Sequence, residues 1–264
     1  MERSDLMIYK ADINLRKKLF PMFNGINNTI VLSGLQGHMG NVWVDDPINP
    51  TVAQVVVGVF AFYAGDPHAK DAEELLHNIP DDILVIVNDD EWKKRIEVIH
   101  KDSIKDKFQR YAFKKNPENL NRDYIKSFLT ILPEGYEIKK IDASLAYAPS
   151  LQKLSEDFTS QFDSIDDYIN KGVGFCILHN GQIVCGASSY SVYDDGIEIE
   201  IDTHPEHRRK GLATVAASAL ILDCLDRGKY PSWDAANTNS AVFAKKLGYV
   251  LEKPYDTYYI HYKK

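Results

Sequence analysis

Cysteine is scarce in this sequence, with only Cys176, Cys185 and Cys224 among 264 residues. They are odd in number, widely spaced and set in apolar surroundings, so they read as reduced core thiols of an intracellular protein. A disulfide framework and a thiol nucleophile are both set aside. No apolar run approaches the ~20 residues of a membrane span, and the start, MERSDLMIYK, has nothing like a signal-peptide core. Cytoplasm is the expected location, with no membrane partner. A basic excess is missing too: 31 Lys and Arg face 38 Asp and Glu, for a net charge of −7. Without a basic stripe to neutralise phosphates, nucleic acid is not an expected partner. An acidic protein suits a cationic small molecule, although acidity also serves solubility. Low-complexity segments are absent as well.

What is present is an ordinary globular composition, 44% hydrophobic and 11% aromatic. The length predicts two domains. In the first region, Ile30 to Leu32 and Asn41 to Val44 read as short strands around a glycine-rich turn, Gly34 to Gly40. Val55 to Tyr63 reads as one strand, His68 to Asn78 and Glu91 to His100 as helices, and Ile83 to Val87 and Phe108 to Phe113 as strands. The pattern weakens from Lys114 to Pro133, where the domain connection is expected. From Gly135 onward, a strand at Tyr136 to Ile141 is followed by helices covering Ser144 to Phe158 and Ile165 to Lys171. A three-stranded meander comes next, with Asn180-Gly181 as its first hairpin turn and Asp194-Asp195-Gly196 as its second. A helix from Leu212 to Asp226, a strand at Trp233 to Ala236, a helix from Ser240 to Leu247, and strands at Tyr249 to Glu252 and Tyr258 to Tyr262 complete the chain. The order of elements from Val55 to Phe113 echoes that from Ile197 to Tyr262.

The segment richest in chemistry is Ile197 to Ala213, IEIEIDTHPEHRRKGLA. An alternating strand runs through a proline turn into a basic loop that opens a helix. Successive N–H groups at a helix N-terminus cradle phosphate, and the helix dipole adds positive character. Gly211 lets the backbone approach closely, Ala213 keeps the next turn narrow, and Arg208, Arg209 and Lys210 supply charge. Taken alone, the loop reads equally as a solvated basic turn capping a helix.

Arg208-x-x-Gly211-x-Ala213 resembles the acetyl-CoA signature of the GCN5-related N-acetyltransferases. The preceding strand, the following helix, Asn237-x-x-Ser240 and Leu247-Gly248-Tyr249 fall in that family's order. The resemblance covers Gly135 to Tyr262, about half the chain. Gly172 to Phe175 and Pro231-Ser232-Trp233-Asp234 are similar to the bacterial branch of zwittermicin A resistance acetyltransferases. The resemblance implies an α/β (α+β) class: a C-terminal domain, 121–264, with a mixed, largely antiparallel sheet flanked by helices. A smaller N-terminal α/β domain, 1–120, would be a cleft wall or a degenerate half of the same kind. It implies acetyl-CoA as acyl donor, with no metal. Backbone groups around Ile201, Asp202 and Thr203 would pair with the pantetheine arm. Arg208, Arg209, Lys210, Gly211, Leu212 and Ala213 would hold the pyrophosphate, and Asn237 and Ser240 would reach the arm. Asn237 reads equally as the N-cap of the following helix.

Acetyl transfer to an amine needs a proton acceptor and a stabilised oxyanion. Glu198, Glu200 and Asp202 share one strand face, so Glu198 and Glu200 are the candidate bases unless that face is merely exposed or a bulge re-aims it. The backbone N–H near Ile201 is the expected oxyanion donor. The family's general-acid tyrosine corresponds here to Ala244, which has no proton to give. Tyr255, Tyr258 and Tyr259 are the substitutes, or else the thiolate leaves unassisted. His204 and His207 have no third ligand in reach, so no zinc site is expected. Asp234, in an apolar strand, needs a partner. The expected function is N-acetylation of a small cationic amine, in resistance or detoxification, by direct attack on the thioester. The alternative, motivated by Ala244, is a non-catalytic acyl-CoA binding or sensing protein. The sequence is compatible with a monomer or a homodimer.

Overall fold

The structure is a computed structural model that describes residues 7–26 and 28–262. The first six residues, where a signal core was sought, lie outside the described residues. The chain divides into two compact units, Met1–Arg110 with Pro254–Lys264, and Tyr111–Lys253. This differs from a division at 120 because each unit takes in a strand end from beyond that point or before it.

The first unit contains β1 (Tyr9–Lys10), α1 (Ile13–Lys18), α2 (Thr29–Gln36), β2 (Asn41–Val44), β3 (Val52–Val57) and β4 (Phe60–Gly65). It continues through α3 (Ala72–His77), β5 (Ile83–Ile86), α4 (Asp90–Ile99) and most of β6 (Ile104–Phe113). Ile30 to Leu32 is therefore helical, not a strand. Asn28 caps α2 by accepting from the Ile30 N–H at 2.9 Å. Gly34, expected in a turn, lies within this helix, where a Cβ would stand 2.5 Å from Val55 Cγ1. Glycine there buys close packing of helix on sheet at a cost in helix propensity. The run Val55 to Tyr63 holds two strands, because the chain reverses at Gly58, whose φ is +54°. The core gathers Trp92, Tyr63, Leu75, Leu76, Val85 and Ile96. The strands β1 to β4 form an antiparallel meander, and β5, reached through α3, adds parallel to β4.

The second unit begins with the end of β6 and contains α5 (Arg122–Ser127), β7 (Tyr136–Lys140), α6 (Ala143–Ala146), α7 (Pro149–Leu154) and α8 (Ile165–Lys171). The break between α6 and α7 follows from Pro149, which lacks an N–H and sits in the first turn of a new helix. β8 (Gly174–His179), β9 (Gln182–Tyr193), β10 (Gly196–Thr203), α9 (Leu212–Asp226), β11 (Tyr230–Ser232), β12 (Asp234–Ala235), α10 (Thr238–Lys246) and β13 (Leu251–Ile260) follow. The two C-terminal strands expected separately are thus one, and the strand expected at 233–236 is shortened to β12 and preceded by β11, which was not expected. The sheet order is β11-β10-β9-β8-β7, antiparallel except for β11, which joins β10 in parallel after α9. α9 is apolar nearly all round, with Leu212, Val215, Ala216, Leu220 and Ile221 buried as it crosses β8 to β11.

Both units therefore run from an antiparallel meander through a helix to a parallel strand. They also take strand ends from beyond their main chain segments. Asp234 and Ala235 of β12 pair with Ala112 and Tyr111 of β6 in the second unit. Tyr258, Tyr259 and Ile260 of β13 pair with Val85, Leu84 and Ile83 of β5 in the first.

Candidate active site

β10 organises the site. Its parallel ladder with β11 runs only from Gly196 to Glu198, opposite Tyr230 to Ser232. Past that point β12 pairs with β6 instead, so β10 continues to Thr203 with one open edge. The His204 N–H donates to Val184 O of β9 at 2.8 Å, which sets the parity of the ladder. Backbone groups of Asp202 and Glu200 point to β9, and those of Thr203 and Ile201 point to the open edge. Asp202 and Arg208 close the end of that edge. Asp202 Oδ1 accepts the Thr203 N–H at 2.6 Å, and Arg208 Nε donates to the Thr203 carbonyl at 2.9 Å.

At the other end of the ladder the register slips. Glu198 faces Ser191 while Ile199 faces Ser189, so Tyr190 is the extra residue of a bulge on β9. Glu198, Glu200 and Asp202 still share a face, but not an environment. Glu198 is 5% exposed, and the other two are half-buried. The merely exposed strand face is thereby corrected for Glu198. Around Glu198 stand Tyr193, Tyr230 and Tyr249, whose hydroxyls bond to Ser232 Oγ (3.0 Å), Lys114 O (3.0 Å) and Pro231 O (2.6 Å). Burial, reinforced by the Glu198 charge, pushes all three phenols up, Tyr230 to about 12. They stay protonated at neutral pH.

Burial lowers the pKa of Lys115, and Glu198, Glu252 and Asp234 act on it electrostatically in the opposite direction. Tyr193, Tyr230 and Lys115 are not singled out by the sequence, in which Tyr249 stands out only within Leu247-Gly248-Tyr249; Tyr193 lies two residues past Ser191 on the strand that pairs with Glu198.

The loop after β10 has the geometry of an anion cradle. Arg209 and Gly211 have φ of +61° and +81°, and α9 starts at Leu212 without a side-chain cap. Among the described residues, no protein group accepts from the backbone N–H groups of Arg209 to Thr214. Six successive donors at a helix start, in a chain alternating into left-handed conformation, form a nest for anionic oxygens. The side chains contribute less than expected. Arg208 is turned back on β10, and Lys210 Nζ donates to Tyr136 OH at 3.0 Å. Lys246, which the sequence did not single out, donates to Thr214 Oγ1 at 3.2 Å in the first turn of α9.

Other expected residues are placed differently. Asn237 caps α10, its Oδ1 accepting from the Ser240 N–H at 3.0 Å, and Ser240 Oγ accepts from Trp233 Nε1 at 3.2 Å. Tyr255, Tyr258 and Tyr259 belong to the first unit, not to the unit that holds the loop. Tyr258 donates to Glu97 at 2.8 Å and Tyr259 to Asp82 at 2.6 Å, so both hydroxyls are held by carboxylates of their own unit. Ala244 is fully buried among Ala241, Leu247, Trp233 and Tyr249. Its position is a core position. His179 joins His207 and His204 with ring centroids 5.1 and 5.7 Å from His207. Even so, no group of three or more metal-binding side chains among the described residues could hold an ion. The three cysteines are buried, and burial pushes each thiol up to about 12. Among the described residues, no helix is long and apolar enough to cross a membrane.

Known proteins share this arrangement. The family described as GNAT acetyltransferase matches residues 20–258. A GCN5-related N-acetyltransferase-like protein from Streptococcus suis 89/1591 superposes with a TM-score of 0.85 at 36% identity, over 94% of this chain and 99% of that one. YdfB of Bacillus subtilis (strain 168), an uncharacterised N-acetyltransferase, is 27% identical over 231 residues, 83% of this chain and 85% of its own. A tandem GNAT protein from the clavulanic acid biosynthesis pathway shares the fold at 11% identity and a TM-score of 0.54, over 96% of both chains. A match spanning nearly the whole chain, joined to a parallel strand that parts from β10 beside a helix-start cradle, shows that this protein belongs to the GNAT acetyltransferase family and is an N-acetyltransferase.

Proposed function

We propose that the protein transfers the acetyl group of acetyl-CoA to the amine of a small cationic molecule, with Glu198 as the general base. The observation that carries this reading is the arrangement along β10. The cradle lies after its last residue, the open edge runs along its length, and the buried Glu198 stands where β11 leaves it. The pyrophosphate would rest on the N–H groups of Arg209 to Thr214. The pantetheine arm would follow the open edge past Ile201, bringing the thioester to Glu198.

A carboxylate beside the reacting amine takes its proton, and the neutral nitrogen then attacks the thioester carbon. The N–H of Ile201, facing the open edge, would donate to the oxyanion. The departing thiolate is protonated by Glu198 or by water, since Tyr258 and Tyr259 are committed to Glu97 and Asp82. Glu198, Asp234 and Glu252, which all act electrostatically on Lys115, favour a cationic acceptor. Ala244 is buried among Ala241, Leu247, Trp233 and Tyr249 and supplies no general acid, so the alternative of a non-catalytic acyl-CoA sensor is distinguished by whether amine-dependent thiol release occurs.

The first unit repeats the order of meander, helix and parallel strand, which supports a degenerate GNAT-like half. The likeness in fold to a tandem GNAT protein agrees with this. A role in resistance or detoxification rests on the resemblance of Gly172 to Phe175 and Pro231 to Asp234 to the zwittermicin A branch. The test is thiol release from acetyl-CoA across a panel of small amines, with calorimetry of acetyl-CoA binding. Binding followed by amine-dependent thiol release is expected. Absence of acetyl-CoA binding would overturn the donor, and release only with neutral or anionic amines would overturn the acceptor class.

A further inference from the structure

Lys210, an expected ligand of the pyrophosphate, is engaged elsewhere. Its Nζ donates to Tyr136 OH at 3.0 Å and lies 5.7 Å from the centroid of that ring. Tyr136 OH in turn lies 2.9 Å from His207 Nδ1. An ammonium can only donate, so the phenol oxygen accepts from Lys210 and the phenol proton is left for the imidazole. His207 Nδ1 then accepts, which keeps that ring neutral. Tyr136 opens β7, His207 ends the proline turn after β10, and Lys210 belongs to the cradle, so the relay ties the cradle to the sheet.

The relay cannot hold once His207 is protonated. Nδ1 would carry a hydrogen, and one phenol oxygen would have to accept from an imidazolium and an ammonium together. The surroundings oppose that charge as well. Facing His207 are Tyr136 from β7, His179 from the end of β8 with ring centroids 5.1 Å apart, and His204, Glu206 and Lys210 from its own loop. Glu206 is the one acid in this set. His204 has a buried Nδ1 without a hydrogen-bond partner among the described residues, so a protonated His204 would bury an unpaired N–H. Partial burial, and then the Lys210 charge, lower the pKa of His207 from its usual 6.5, which keeps the relay closed at neutral pH.

We propose that acetyl-CoA binding is coupled to uptake of a proton by His207, which opens the relay and turns Lys210 from Tyr136 to the phosphates in the cradle. The inference rests on the reading of acetyl-CoA as donor and of the cradle as its phosphate site. Anionic oxygens there favour an imidazolium two residues before the cradle, and they give the ammonium a charged acceptor in place of a phenol. The pKa of His207 is therefore higher in the complex than in the free protein. Between the two values each complex takes up as much as one proton from solvent, and affinity tightens as pH falls through that window. Above it His207 stays neutral, Lys210 stays on Tyr136, and the cradle works with its backbone donors.

The experiment is calorimetry of acetyl-CoA binding to the full-length protein from about pH 8 down to about 5.5, in buffers of different ionisation enthalpy, which reads affinity and proton uptake together. The ribose phosphate of acetyl-CoA also titrates near pH ~6, so the quantity read is the difference between the parent and His207→Gln. The parent is expected to take up more protons, and to gain about tenfold more affinity across the range, than His207→Gln. Tyr136→Phe should do what loss of a merely structural contact would not. By releasing Lys210 it should tighten binding severalfold at about pH 8 and shrink the gain on acidification. Equal proton uptake and equal pH dependence in the parent and His207→Gln would overturn the coupling and leave the donor reading standing. So would weaker binding by Tyr136→Phe at the upper pH, and that variant decides alone where His207→Gln does not fold. If the parent binds no acetyl-CoA, both readings fall.

Discussion

Glu198→Gln should lower turnover by ~10²- to 10⁴-fold, the usual worth of a positioned general base. At 1.36 kcal/mol per factor of ten, this is ~2.7 to 5.5 kcal/mol of transition-state stabilisation. The structure puts that loss on Glu198 and not on Glu200. Glu198 is 5% exposed, whereas Glu200 lies two residues further along, half-buried, opposite Ser188. Water cannot readily substitute for the first carboxylate, but it can for the second. Glu200→Gln should therefore stay within about fivefold of the parent. Steady-state thiol release with saturating acetyl-CoA measures both. Because the cradle is made of backbone N–H groups, acetyl-CoA affinity should be unchanged in Glu198→Gln. Normal affinity also certifies that the variant is folded. If Glu198→Gln keeps parental turnover while Glu200→Gln loses it, the role of the bulge in selecting the base is wrong.

Gly211 sits at φ +81°, where a side chain costs ~1 to 2 kcal/mol, and its Cβ would meet Ile131 Cδ1 at 3.3 Å. Gly211→Ala should therefore weaken acetyl-CoA binding by about tenfold in calorimetry, and Gly211→Trp should abolish it; normal binding by the tryptophan variant would sink the cradle. Ala244→Tyr should lower the melting temperature through ~1 to 3 kcal/mol of overpacking in a fully buried site, and a gain in turnover instead would show that a hydroxyl there reaches the thioester. Burial holds the pKa of His100, the residue after α4, at about 4, down from 6.5. Between those values the unfolded chain binds more protons than the folded one, so stability should fall as pH drops through 6.5 and level off below about 4. Urea titrations across that range should show the slope in the parent and a flatter one in His100→Gln.

Local signals in the sequence carried much of the second unit. Asn180 and Gly181 both have positive φ, as the hairpin turn requires, and α9 spans Leu212 to Asp226 as its apolar spacing predicts. Where contacts distant in sequence decide, the reading failed. Ile30 to Leu32 favours a strand by β-branched content, but the packing of Gly34 against Val55 and the Asn28 cap make it helical. Alternation alone treats Glu198 and Glu200 as equals. Only the extra residue at Tyr190, on another strand, and the short ladder with β11 separate them. Lys115 was invisible for the same reason: the charges that act on it belong to residues 198, 234 and 252, none of them near it in sequence.

The strand ends exchanged by the two units set an order for synthesis on the ribosome. β5 in the first unit needs Tyr258 to Ile260 beside it, and these residues emerge only after the whole second unit has been translated. The first unit therefore waits, with the backbone groups on one side of β5 unpaired, until elongation is nearly complete. The second unit meets no such delay, because its borrowed residues, Tyr111 and Ala112, precede it. Vectorial folding thus favours the second unit first. A nascent chain stalled before residue 258 would carry a formed cradle in the second unit and, in the first, a β5 edge without its partner, the kind of surface on which chaperones act.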